Sequence, residues 1–106
     1  MATVFVVQDD PKKNFVPALD FGNVEVILPE GSQVTFASAP TVKKIRDALY
    51  KYTEDDFILA SGDPVAIGIA CAEAARRTAG KFKVLKWDRQ EMRYYPVTVD
   101  LNAVTM

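Results

Sequence analysis

The chain has 106 residues, of which 49% are hydrophobic and 25% charged, and its formal net charge is −1. That is the make-up of one globular domain, residues 1–106, with a stability of about 5 to 15 kcal/mol and no overall electrostatic pull toward nucleic acid. No apolar run approaches the ~20 residues that span a bilayer, so no membrane partner is expected. Histidine is absent and Cys71 is the one cysteine, which removes Ser-His-Asp and Cys-His arrangements, histidine-based zinc sites and an internal disulfide.

In chain order, residues 3–8 read as a strand, because Val4, Phe5, Val6 and Val7 are β-branched or aromatic, and residues 9–14 follow as a polar breaker. Residues 15–19 are apolar but carry Pro17, which suits an irregular or edge segment. Residues 24–28 form the next strand and residues 33–36 a short β-rich one, and the two are expected to pair as a hairpin. Ser38 and Pro40 then signal a helix start, and Val42, Ile45, Leu49 and Tyr52 recur at helical spacing. The outer face carries Lys43, Lys44, Arg46, Asp47 and Lys51, with Asp47 and Lys51 spaced for an i,i+4 pair.

Residues 57–60 form a short apolar run, as a strand covered on both faces would. Asp63 stands where an N-cap belongs and Pro64 at the first helical position, where a missing N–H costs nothing. The helix that follows is uncharged from Val65 to Ala72. Its charges come late, at Glu73, Arg76 and Arg77, and Gly80 ends it. Projecting that charged face back along the helix lands on Ala66, Ile69 and Ala70, which predicts an apolar surface in need of a cover. The cover is either another part of the chain or a second copy, and on that basis a homo-oligomer is expected. Residues 81–87 and 92–101 then read as a hairpin, with Pro96 placing the last strand at an edge or a bulge.

The fold class is therefore α/β: a compact single domain whose mixed sheet has a β-α-β-α-β core over about residues 33–87. A C-terminal antiparallel hairpin and an N-terminal β segment, also antiparallel, extend it. In such sheets ligands bind beyond the carboxyl ends of the parallel strands. That edge gathers Ser38, Thr41, Ser61, Gly62, Asp63 and Asp88 as candidate ligand residues.

A carboxylate pair of Asp63 with Asp88 or Glu91 could hold a cation or do acid/base work, but capping accounts for Asp63 and the turn for Asp88. No phosphate-loop pattern is present, and a carboxylate at the helix cap repels anions. The Ser38 to Thr41 turn beside Lys43 and Lys44 is the better anion site of the two, but ordinary capping is the preferred explanation of it. From Arg76 to Arg93 seven basic residues face two acidic ones, with Phe82, Trp87, Tyr94 and Tyr95 interleaved. Cations with stacking rings suit single-stranded nucleic acid, while lysines on a strand also protect an edge. No catalytic residue, metal or cofactor is implied.

The blocks Gly62-Asp63-Pro64-Val65-Ala66-Ile67-Gly68 and Leu85-Lys86-Trp87-Asp88-Arg89-Gln90-Glu91, with Tyr95-Pro96-Val97 and the Phe21-Gly22 and Leu28-Pro29 region, resemble short proteins encoded by tailed bacteriophages. The resemblance brings no catalytic activity. It implies the cytoplasm of an infected bacterium, which the lone cysteine and the absence of a basic leader also favour. The preferred reading is a non-enzymatic binding or regulatory protein that meets a protein partner or itself through Lys86, Trp87, Arg89, Arg93 and Tyr94, since Trp and Arg most often anchor interfaces. Nucleic acid is the less favoured partner. The alternative is a small-ligand or nucleotide-binding domain using the carboxyl edge.

Overall fold

A computed structural model describes residues 1–34 and 37–103. It has five strands, β1 (Thr3–Gln8), β2 (Asn23–Leu28), β3 (Phe57–Leu59), β4 (Lys81–Asp88) and β5 (Arg93–Asp100), and two α-helices, α1 (Ala39–Ala48) and α2 (Pro64–Arg77). The strands form one sheet in the order β2-β1-β3-β4-β5. The first four run parallel and β5 is antiparallel to β4. The β-α-β-α-β core is present, and so is the C-terminal hairpin.

Two expected placements are corrected. The strand leading into α1 is Asn23–Leu28 rather than residues 33–36: Gln33 and Val34 are irregular, and Thr35 and Phe36 lie outside the described residues. Val34 is instead drawn across to α2, where its N–H donates to Asp63 Oδ2 at 2.8 Å. There is thus no hairpin between residues 24–28 and 33–34. The N-terminal strands, expected at an antiparallel margin, pair parallel, and β1 lies between β2 and β3. The physical reason is in β1 itself: Val4 to Val7 are all buried, and an interior position between two strands, with a packed layer on each face, gives an uninterrupted apolar run that cover.

The connections sort by face. A 3-10 helix, Val16–Asp20, joins β1 to β2 and packs Ala18 with Val4, Val6, Leu59 and Leu85 on one side of the sheet. Both α-helices lie on the other, over Phe5, Val7, Ile58 and Phe82. The chain steps in opposite directions on the two faces, which gives every parallel crossover the same hand. Residues 15–19 therefore cover the sheet face opposite α2 rather than α2 itself.

Two of the three α2 residues expected to need a cover, Ala66 and Ala70, are covered by the chain itself. Ala66, Ala70 and Ala74 are fully buried against the sheet and α1, and Glu73 is buried with them at 4% exposure. Its Oε1 meets Arg46 Nε of α1 at 3.2 Å and Arg76 NH1 at 3.3 Å. Glu73 is part of the helix interface, so back-projection from it pointed inward. The exposed apolar residue of the first turn is Val65. On α1 the charge pair is Lys43 with Asp47 at 2.8 Å, not Asp47 with Lys51.

Candidate functional site

Two hollows open at the carboxyl edge of the parallel strands. The first lies where the strand order reverses, between β1 and β3, the position at which doubly wound sheets bind ligands. It encloses about 570 Å³ and is lined by segments 8–12, 30–33 and 62–64. Gln8, at the end of β1 and only 4% exposed, occupies its root. Its Nε2 donates to the carbonyls of Ser32 at 2.6 Å and Pro29 at 3.2 Å, and its Oε1 accepts from Asp63 N–H at 2.7 Å. One amide thereby ties together the loops after β1, β2 and β3.

Asp63 is equally committed. Oδ1 accepts from Val65 N–H and Oδ2 from Val34 N–H, both at 2.8 Å. These amides, Val34 first and then Val65, hold its carboxyl below the usual carboxylate range. Gly62 sits between, at φ +99°, where any added Cβ would overlap Gln8. Around this lock Asp9, Asp10 and Glu30 face the hollow with Lys12 as the basic residue. The first hollow is braced and predominantly acidic.

The second hollow, about 300 Å³, lies on the 3-10 side of the sheet beyond the ends of β3 and β4. Leu59, Ala60 and Leu85 make its floor, Trp87 and Tyr94 a wall, and Lys12, Lys13 and Asn14 the opposite rim. Trp87 and Tyr94 are register partners, so their side chains share a face. The rings meet edge-on, 4.8 Å apart at 67°. Tyr94 is buried, at 6% exposure, while Trp87 keeps 38%. Burial raises the Tyr94 hydroxyl above its ordinary pKa, and that hydroxyl donates to the carbonyl of Asn14 at 3.3 Å. This bond fastens the lysine loop to β5.

Asp10 shapes the same loop: its side chain accepts from Lys12 N–H at 2.9 Å and its carbonyl from Lys13 N–H at 3.0 Å. Lys13 Nζ donates to Ser61 Oγ at 3.5 Å, and Ser61 is fully buried at the end of β3. Among the described residues neither lysine has a carboxylate within ion-pair distance. Among the described residues no acidic side chain lines this hollow.

The sequence candidates are thus redistributed. Trp87 and Tyr94 come together with the Ser61 end of β3, but Tyr94 is a buried brace rather than an exposed contact. Its neighbour Tyr95 is the more exposed ring. By strand alternation Lys86 and Arg93 point to the helix side of the sheet, away from Trp87, and Arg89 follows in the exposed turn. Asp88 Oδ1 accepts from the N–H groups of Gln90 and Glu91, so it shapes that turn. Ser38 occupies the α1 N-cap position without a side-chain capping bond, and Thr41 lies within α1. Lys12, Lys13 and Gln8 were not singled out by sequence reasoning. Their signal was a charged turn directly after an apolar strand, informative only once that strand is known to lie inside the sheet.

In class, then, this is an open mixed α/β sheet with a hollow at the carboxyl end of its strands. A family model for Phage Pam3 gp32-like protein matches residues 2–101. The chain belongs to that family, in keeping with the phage resemblance of its sequence blocks. No curated protein and no solved structure matches it. No helix among the described residues is long and apolar enough to cross a membrane.

Proposed function

We propose that the protein is a non-enzymatic binding protein whose working surface is the Trp87 hollow together with Arg89 of the adjoining turn. The observation that carries this reading is Trp87: a ring 38% exposed, braced edge-on by buried Tyr94 over an apolar floor. Half-exposed aromatics held rigid beside cations are the usual anchors of binding surfaces. Groups otherwise suited to chemistry are committed to structure, Asp63 to the α2 cap and Asp88 to a turn. Burial also raises the pKa of Cys71, away from a reactive thiolate. A half-buried lone thiol suits a reducing compartment, here the cytoplasm of an infected bacterium.

The test is capture from bacterial lysate on immobilised wild type and on Trp87→Ala/Arg89→Ala. Partners retained by the wild type and lost by the variant are expected. Identical sets would overturn the reading. A ligand in the first hollow is the weaker alternative, because its root is filled by Gln8 and its carboxylates oppose a nucleotide. Self-association is a second reading, favoured by the free edge of β2, where Val26 is 44% exposed and no proline interrupts the strand. Sedimentation as a monomer removes it.

A further inference from the structure

We infer that the Trp87 hollow binds single-stranded nucleic acid, taking one base against the Trp87 ring with the adjoining phosphates on Lys12 and Lys13. This rests on the binding reading above and names its partner. Three observations converge. The hollow has a flat aromatic wall over an apolar floor, which suits a planar ring. Its rim carries two ammonium groups without carboxylate partners among the described residues and no acidic side chain, which suits an anion.

The two features are also held in fixed relation by the Tyr94 hydroxyl bond to Asn14. At about 300 Å³ the space is at the small end of ligand sites and holds one ring rather than a stack.

An acidic peptide would meet the lysines and leave the Trp87 face without a planar partner. A duplex keeps its bases stacked out of reach. A single strand supplies ring and phosphate together, and Arg89, one residue past the end of β4, lies where the strand can continue. The first hollow, rich in carboxylates, would repel the same ligand. The net charge of −1 for the whole chain therefore conceals a local basic rim.

Trp87 is the single tryptophan, so its fluorescence reports the hollow directly. The full chain is titrated with a 12-residue oligo(dT), an oligo(U), the matching duplex, dTMP and poly-glutamate at low and moderate salt. Quenching by the single strands is expected, at least tenfold tighter than by the duplex, dTMP or poly-glutamate. Its affinity should fall with log salt at a slope of about −1.4, for two neutralised phosphates. Lys12→Gln/Lys13→Gln alters only exposed side chains and should weaken binding about tenfold or more and flatten that slope. With labelled oligonucleotide anisotropy, Trp87→Leu should lose about tenfold and Trp87→Phe should recover most of it.

Absence of quenching by either single strand at low salt overturns the inference. Equal binding of poly-glutamate, or an unchanged lysine variant, does the same. If the oligonucleotides fail while Trp87-dependent capture from nuclease-treated lysate persists, the inference falls and the binding reading stands.

Discussion

The two hollows share an edge of one sheet and even share Lys12, yet they are built oppositely. Beside β1 and β2 the polar groups face one another: the Gln8 amide and the Asp63 carboxylate make five hydrogen bonds to backbone groups of neighbouring loops. Beside β4 the polar groups face outward, with Lys12 and Lys13 lacking acidic partners among the described residues and Trp87 open on one side. Position at the carboxyl edge therefore does not by itself make a binding site. What decides is whether the polar atoms there are already satisfied by the chain.

The largest effects should expose the lock. Gln8→Ala leaves buried amide and carbonyl groups without partners and should cost about 2 to 4 kcal/mol in chemical denaturation. Gly62→Ala, strained at φ +99° and overlapping Gln8, should cost at least as much. Trp87→Ala should lower stability by only about 1 to 2 kcal/mol, since the ring is part-exposed, while it abolishes capture. If Trp87→Ala unfolds the chain instead, the second hollow is a core edge and the contrast between the two hollows is lost.

The hollows should also fail at opposite ends of the pH scale. The Asp63 carboxyl is held low by amide bonds in the folded chain. Its contribution is complete above the ordinary carboxylate value, near pH 4, and is lost as pH falls through the lower folded value. Asp63→Asn should flatten the acid limb of a urea-midpoint profile.

Tyr94 is shifted the other way, so its contribution is complete below about pH 10 and is lost as pH rises through the higher folded value. Tyr94→Phe should flatten part of the alkaline limb and, by releasing Asn14, loosen the lysine loop and weaken binding. Tyr52 on the helix side, raised to about 12 chiefly by burial, is shifted in the same direction. Tyr52→Phe should flatten the alkaline limb without touching binding.

The smallest effect lies outside both hollows. Ala79 takes a left-handed conformation, φ 54°, after α2, while Gly80 N–H bonds back to the Ala75 carbonyl at 2.7 Å. Ala79→Gly should stabilise by about 0.5 to 1 kcal/mol, read as a raised denaturation midpoint with binding unchanged.

Much of this molecule is written locally in its residues. The Asp63-Pro64 start of α2, the Ile45, Leu49 and Tyr52 stripe, and the β4-β5 hairpin with Pro96 in an edge strand follow from capping chemistry, helical period and a missing donor. These signals act within a few residues, and no distant contact reverses them. The tertiary structure decided what depends on order and face. It placed β1 inside the sheet, between β2 and β3, and turned Glu73 inward to meet Arg46. It set Trp87 opposite Tyr94 on the 3-10 side of the sheet. Above all it carried Lys12 and Lys13, 75 and 74 positions away in sequence, to the rim opposite Trp87. A charged turn gains chemical meaning from the strand end it is folded against, and strand order is set by the burial of the whole sheet rather than by any one segment.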